Sequence, residues 1–297
     1  MKTYKLPLLI LIFVAAVLSI VYFTTTHKQS TQKLSVAASF YPLYEFAQRV
    51  GGEKIEVSNL TPAGVEPHEY EPSPKTLADI QKSQLLLFVG GTLEPWAEKF
   101  LPQYGNTAVR VDSNIDTIQT DEGKDPHFWL DPTYAKQIVS TIRDALAKAD
   151  PANKSYYEYN AALYISELDS LAADFANGLK TCDQRFIVTS HEAFSYVAKR
   201  YSLQVAAIAG LSTESEPDPS KMALITNMVK DKGLKYIFFE TLVSPRLADT
   251  IAQETGAKTA VFDPIEGLSD ENKQQGKNYI SIQRENLAAL RTALGCK

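Results

Sequence analysis

Residues 34–50 read LSVAASFYPLYEFAQRV, and the change of period inside this stretch decides the class of fold. Residues 34–40 form a short apolar run with β-branched content, the mark of a strand. From residue 41 the apolar side chains fall at Leu43, Phe46, Ala47 and Val50, the spacing of one helix face. The same strand-then-helix pattern recurs. Residues 55–60, 85–89 and 108–111 read as strands, with helices at 74–81 and 95–101. Beyond residue 182 come strands at 185–189, 204–208, 236–239 and 259–262, with helices at 193–201, 219–232, 245–255 and, last, 278–294. Such alternation predicts an α/β protein with mostly parallel sheets.

Between these two series lie two helices. Residues 132–149 carry Ile138, Ile142, Ala145 and Leu146 on one face and stop at Asp150-Pro151. Residues 152–180 place Tyr156, Tyr159, Leu163, Leu168, Leu171, Phe175 and Leu179 near helical spacing, over about 43 Å at 1.5 Å per residue. This predicts an N-terminal α/β lobe over 34–151, a linking helix over 152–181 and a C-terminal α/β lobe over 182–297. Residues 112–125, polar and without periodicity, read as an acidic surface loop.

The chain has 297 residues, enough for one large or two medium domains, and 44% hydrophobic with 22% charged residues is ordinary for a folded protein. A net charge of −5 without a long basic run gives no footprint for nucleic acid and suits a cationic ligand. Ahead of the fold, Lys2 and Lys5 precede an apolar run over 6–23 that would span about 27 Å as a helix, close to the thickness of a bilayer's hydrocarbon layer. Residues 1–33 are therefore expected to be an uncleaved membrane anchor with a polar tether, placing the rest outside the membrane. A cleaved signal peptide is the alternative. The only two cysteines, Cys182 and Cys296, lie in the exported part and predict one disulfide closing a loop of roughly 114 residues.

The chemistry concentrates in three of four histidines. His27 lies in the tether. The others stand in GVEPHEYEPSP (His68), DPHFWLDP (His127) and IVTSHEAFSY (His191), and Asp263 stands at a strand end in AVFDPIEGL. In open α/β sheets ligands bind beyond the carboxyl ends of the strands, so these four residues are expected to converge there. Three imidazoles and a carboxylate suit tetrahedral Zn²⁺. Glu69, Asp131, Glu192 and Glu240 are candidates to orient the imidazoles. Trp129 and Phe194 are expected to line the cleft, and Trp96 to belong to the core.

In those contexts, above all HEYEPSP, DPHFWLDP and SHEAFSY, the chain resembles the zinc- and manganese-binding solute receptors of ABC transporters, from about residue 36 to residue 294. The resemblance implies two α/β lobes joined by one rigid helix, an ion clamped between them, and delivery to a membrane permease driven by an ATPase. Zinc receptors of this kind offer three histidines, whereas manganese receptors place a carboxylate at the third position. Here His191 fills that position, which favours Zn²⁺ with Mn²⁺ as the alternative. One departure stands out: the histidine-rich loop of many zinc receptors has no counterpart in 112–125, where four aspartates and one glutamate occur without a histidine. With His68 and His127 before the long helix and His191 and Asp263 after it, each lobe is expected to supply two ligands, in a monomer that binds no nucleic acid.

Two rival classes fit less well. A zinc hydrolase also uses three protein ligands, but it needs an open position for water, and the chain has neither HExxH nor GxSxG. A surface adhesin would not need four convergent ligands. The chain is therefore expected not to be an enzyme.

Overall fold

A computed structural model describes residues 33–104, 107–212 and 217–297. The expected membrane segment and His27 lie outside the described residues. Leu34–Lys297 form one compact unit. In chain order the first half holds β1 (Leu34–Ala38), α1 (Tyr41–Gly51), β2 (Ile55–Asn59), α2 (Pro74–Ile80), β3 (Leu85–Phe88), α3 (Pro95–Tyr104) and β4 (Ala108–Arg110). A short hairpin follows, β5 (Gln119–Thr120) and β6 (Gly123–Lys124), then α4 (Pro132–Ala149) and the long α5 (Lys154–Gly178). The second half holds β7 (Phe186–Thr189), α6 (Ser195–Tyr201), β8 (Gln204–Ala207), α7 (Pro219–Lys232), β9 (Tyr236–Phe239), α8 (Arg246–Thr255), β10 (Lys258–Val261), α9 (Asp270–Gln274) and α10 (Tyr279–Leu294).

The first sheet has the order β2-β1-β3-β4, all parallel. In the second half β7 pairs with β8 and β9 with β10, again parallel, and β7 lies alongside β9. The α/β class with parallel sheets and a long connecting helix is thus as expected. The loops after β2, β7 and β10 carry His68, His191 and Glu266, which meet at one place.

Local chemistry accounts for the element ends. Pro42 and Pro74 sit in the first turns of α1 and α2, where a missing N–H costs nothing, and the Ser73 hydroxyl caps α2 by accepting from Thr76 N. At the exit of α1, Gly52 has φ +50°, a conformation that favours glycine, and an added Cβ would meet the Tyr156 hydroxyl of α5 at 2.4 Å. Asp131 caps α4 through Thr133 N. A capping box of Asn278 and Ser281 starts α10, and Gly295 ends it.

Helix α5 is about 37 Å long. Its buried side chains are Tyr157, Ala161, Tyr164, Leu168, Leu171 and Phe175, at alternating spacings of four and three. The expected stripe was right in its C-terminal half and out of phase in its N-terminal half, where Tyr159 and Leu163 are exposed. One apolar core runs through α1, α4, α5 and α10 and takes side chains from strands of both halves, among them Val36, Leu87, Ile187 and Phe238. Trp96 packs in a separate cluster with Ala37, Ile80, Leu86 and Phe88.

Residues 112–125, expected as an acidic surface loop, lie largely at the surface but hold some regular structure. They contain the β5–β6 hairpin, and they are tied to the second half: the Tyr196 hydroxyl donates to Asp125 O and accepts from Ile118 N, while Glu122 accepts from Leu211 N. The expected disulfide is present between Cys182 and Cys296, whose Cα atoms are 3.9 Å apart. It joins the end of α10 to the start of the second half, beside a hydrogen bond from Gln184 N to Leu294 O. Among the described residues no helix is long and apolar enough to cross a membrane.

Candidate metal centre

His68 sits in the loop after β2, on a single turn of 3-10 helix, Pro67–Glu69, whose start is capped by the Glu66 carboxylate accepting from His68 N at 3.3 Å. His127 opens a second such turn, His127–Leu130, just before α4. There Asp125 Oδ1 accepts twice from one residue, from His127 N at 2.9 Å and from its Nδ1 at 2.8 Å. His191 follows the end of β7. Its Nδ1 lies 2.5 Å from Glu240 Oε1, an oxygen that also accepts from the Ser190 hydroxyl. With Nδ1 of His127 and His191 held as donors, Nε2 of each faces the centre and is the nitrogen that offers a lone pair once the ring is neutral. The Nδ1 of His68 is buried without a protein partner.

The structure brings together His68, His127, His191 and Glu266, all buried, with one donor atom of each within 4.8 Å of the others. His127 Nε2 lies 3.2 Å from that of His68 and 3.3 Å from that of His191. Glu266 Oε1 lies 3.0 Å from His127 Nε2 and 3.5 Å from both other Nε2 atoms. Donors about 2.0–2.1 Å from a tetrahedral Zn²⁺ stand about 3.3–3.4 Å from one another. The donor set therefore has the size, shape and chemistry of a closed tetrahedral zinc site.

Asp263, expected as the fourth member, is not in this group. Its Oδ1 accepts from Ile265 N at 2.7 Å and its Oδ2 from the Thr241 hydroxyl at 2.9 Å, so both oxygens serve the surrounding chain. Glu266, three residues further in the same AVFDPIEGL stretch, stands where the carboxylate was expected. Ile265 has φ +56° and turns the chain so that residue 266 faces the histidines.

Three aromatic residues keep the surroundings dry. The Trp129 ring packs 5.2 Å from that of His127, its indole N–H donates to Pro264 O at 2.8 Å, and Phe194 stacks on Phe262. Helix α10 holds loops from both halves with one face. The Tyr279 hydroxyl donates to Trp129 O and Gln283 Nε2 to Leu130 O, and Asn286 bonds both the N–H and the carbonyl of Asp263.

A chain-length family model, the periplasmic component A of zinc-uptake complexes, matches residues 36–293. The chain belongs to the ZnuA family. Among relatives, it is 38% identical over 285 residues to the zinc-binding lipoprotein AdcA of Streptococcus pneumoniae, covering 90% of this chain and 57% of that protein. It thus spans little more than half the length of that relative. It is also 38% identical over 280 residues to the high-affinity zinc uptake system protein ZnuA of Bacillus subtilis, covering 88% of each. Among solved structures, the Zn(II)-bound ZnuA-like domain of the pneumococcal AdcA superposes with a TM-score of 0.80 at 39% identity, over 89% of this chain and 99% of that domain.

Within this ZnuA-family framework the electrostatics follow from burial and contact. Burial alone would lower the pKa of His127, but hydrogen bonds to Asp125 and Glu266 prevail and raise it. Burial opposes charge at His191 too, yet the Glu240 and Glu266 carboxylates hold its pKa well above the ordinary value. Glu266 would be raised by burial, but the charge of His191 and hydrogen bonds from the imidazoles keep it well below the usual carboxylate range. Glu66, buried beside Glu266, is pushed up to about 10 by desolvation and then by that charge. A site so poised exchanges protons for a metal cation.

Of the residues expected to orient the imidazoles, Glu240 does so. Asp131 instead caps α4 and pairs with Arg200 at 2.6 Å, Glu69 is exposed, and the Glu192 backbone bonds Gly210 O. Asp125 and Glu266 were missed by the sequence reading. Asp125 had a signal, since DPH places an acid two residues before a histidine, the spacing of a side-chain-capped turn. Residues 112–125, where many zinc receptors carry histidines, contribute that carboxylate and no imidazole.

Proposed function

We propose that this chain captures one Zn²⁺ outside the cytoplasmic membrane through His68, His127, His191 and Glu266, and passes it to an ABC-type permease driven by an ATPase subunit. The observation that carries the reading is that five separations of 3.0–3.5 Å link four buried donor atoms, all within 4.8 Å of one another. Three nitrogens and one oxygen favour zinc over manganese, which prefers oxygen-rich donors and higher coordination. The zinc-uptake family model and the zinc-binding relatives support the same choice.

With four protein donors closing the sphere, no position is left for a catalytic water, and the family's role is that of a binding component rather than an enzyme. In this reading residues 34–151 and 182–297 act as two lobes around the helix at 152–181. His68 and His127 come from the first lobe, His191 and Glu266 from the second, and the cargo bridges them. The apolar run over 6–23 supports a membrane tether.

The test is metal analysis of protein purified without added metal, followed by competition between Zn²⁺ and Mn²⁺. One zinc per chain, not displaced by equal manganese, is expected, and manganese winning would overturn the choice of metal. Melting curves with and without Zn²⁺ test the site itself: His191→Ala should lose most of the zinc-induced shift while still folding. An undiminished shift would remove His191 from the site.

A further inference from the structure

Asp263 is buried beside the metal centre, yet it spends both oxygens on the chain: one on Ile265 N, the other on the Thr241 hydroxyl. Its peptide is gripped from the other side, where Asn286 Oδ1 accepts from Asp263 N at 2.9 Å and Asn286 Nδ2 donates to Asp263 O at 2.7 Å. Four hydrogen bonds thus converge on one residue. What they hold is a strained turn. Ile265 is fully buried with φ +56°, and a β-branched side chain in the left-handed region costs on the order of 1–3 kcal/mol. Among the described residues the only other non-glycine with positive φ is Ser202, which ends α6. The strain at Ile265 lies one residue before Glu266.

We propose that Asp263 is a positioning residue that locks this turn, fixing Glu266 as a one-oxygen donor and so making the site select a small four-coordinate cation over a larger six-coordinate one. Glu266 Oε1 lies 3.0 Å from His127 Nε2 and 3.5 Å from the other two. A manganese ion, which prefers octahedral oxygen-rich coordination, needs that carboxylate to swing out and chelate, or to make room for water. A turn clamped by Thr241 on one side and Asn286 on the other resists the backbone displacement that making such room requires. The inference rests on the zinc reading above.

The experiment compares Asp263→Ala, Asp263→Asn and Thr241→Val with the parent. It measures zinc affinity against a chelating dye, the ratio of zinc to manganese affinity, and the visible spectrum of the Co²⁺-loaded protein, which is intense when the ion is tetrahedral. Asp263→Ala should lose about tenfold or more in zinc affinity, the scale for groups that orient ligands, with a lower zinc-to-manganese ratio and a weakened cobalt band. Asp263→Asn keeps an acceptor for Ile265 N and a polar partner for Thr241, so it should stay near the parent. Thr241→Val, which removes one clamp without changing volume, should fall between. If Asp263→Asn falls as far as Asp263→Ala, the negative charge itself is what counts and the proposal is overturned in favour of a ligand. Parental values for Asp263→Ala overturn it too. Should Asp263→Ala fail to fold, parental affinity and selectivity in Thr241→Val overturn it instead. A parent protein without tetrahedral cobalt would sink the zinc reading itself.

Discussion

Each imidazole of the centre has one nitrogen aimed inward, and the partner of its other nitrogen decides how firmly it is aimed. Asp125 holds His127 by ring and backbone together, so Asp125→Ala should cost about 10–100-fold in zinc affinity, read by chelator competition. His68 has no such partner on Nδ1, which leaves its ring held by packing and by the turn around it. The raised pKa values of His127 and His191 give the pH dependence its sign. In metal-free protein these protonated imidazoles stabilise the fold fully below the unfolded value of about 6.5, and that stabilisation is lost as pH rises through the higher folded values. Zinc needs the same nitrogens neutral. The zinc-induced rise in melting temperature should therefore be small at pH 5.5 and grow steadily towards pH 8, and a shift equal at both ends would count against histidine ligation.

At the scale of elements, α5 offers a direct check of which face is buried. Leu168 is fully buried and Leu163, five residues earlier, is 52% exposed. Leu168→Ala should destabilise by about 2–5 kcal/mol in chemical unfolding, whereas Leu163→Ala should change stability by about 0.5 kcal/mol or less. Strands such as Leu85–Phe88 and Tyr236–Phe239 were legible because four apolar residues between turn-formers have few other uses. The phase of α5 was half legible: tyrosines serve both faces of a helix, so Tyr156, Tyr157 and Tyr159 gave no unique stripe. The β5–β6 hairpin was invisible for another reason. Strands of two residues carry no alternation, and what holds this one, the Tyr196 hydroxyl and Leu211 N, comes from far along the chain.

For the molecule as a whole, the Cys182–Cys296 bridge closes a loop of 114 residues, and in the chain-entropy account such a loop is worth about 4–5 kcal/mol. Reduction should lower the melting temperature clearly, and reduced protein melting like oxidised protein would deny the bridge a stabilising role. Zinc acts on the same equilibrium by mass action, adding about 4 kcal/mol when free zinc stands a thousandfold above Kd. The two effects are expected to add, since bridge and metal centre lie at opposite ends of α10. Tyr279, Gln283 and Asn286 form the part of that helix which reaches the loops around the site.

The α/β class, the parallel sheets, the long helix, the disulfide and the three histidines could all be read in the sequence, because each depends on residue type and on neighbours within a few positions. The carboxylate could not. AVFDPIEGL offers Asp263 and Glu266 at equal chemical merit, and strand-end position favoured the aspartate. Only the folded chain decided between them, through Thr241, Asn286 and the left-handed Ile265, which occupy the aspartate and turn the glutamate inward. Those partners lie up to 23 residues away, and the direction of a side chain after a strained turn is set by such distant contacts rather than by local pattern.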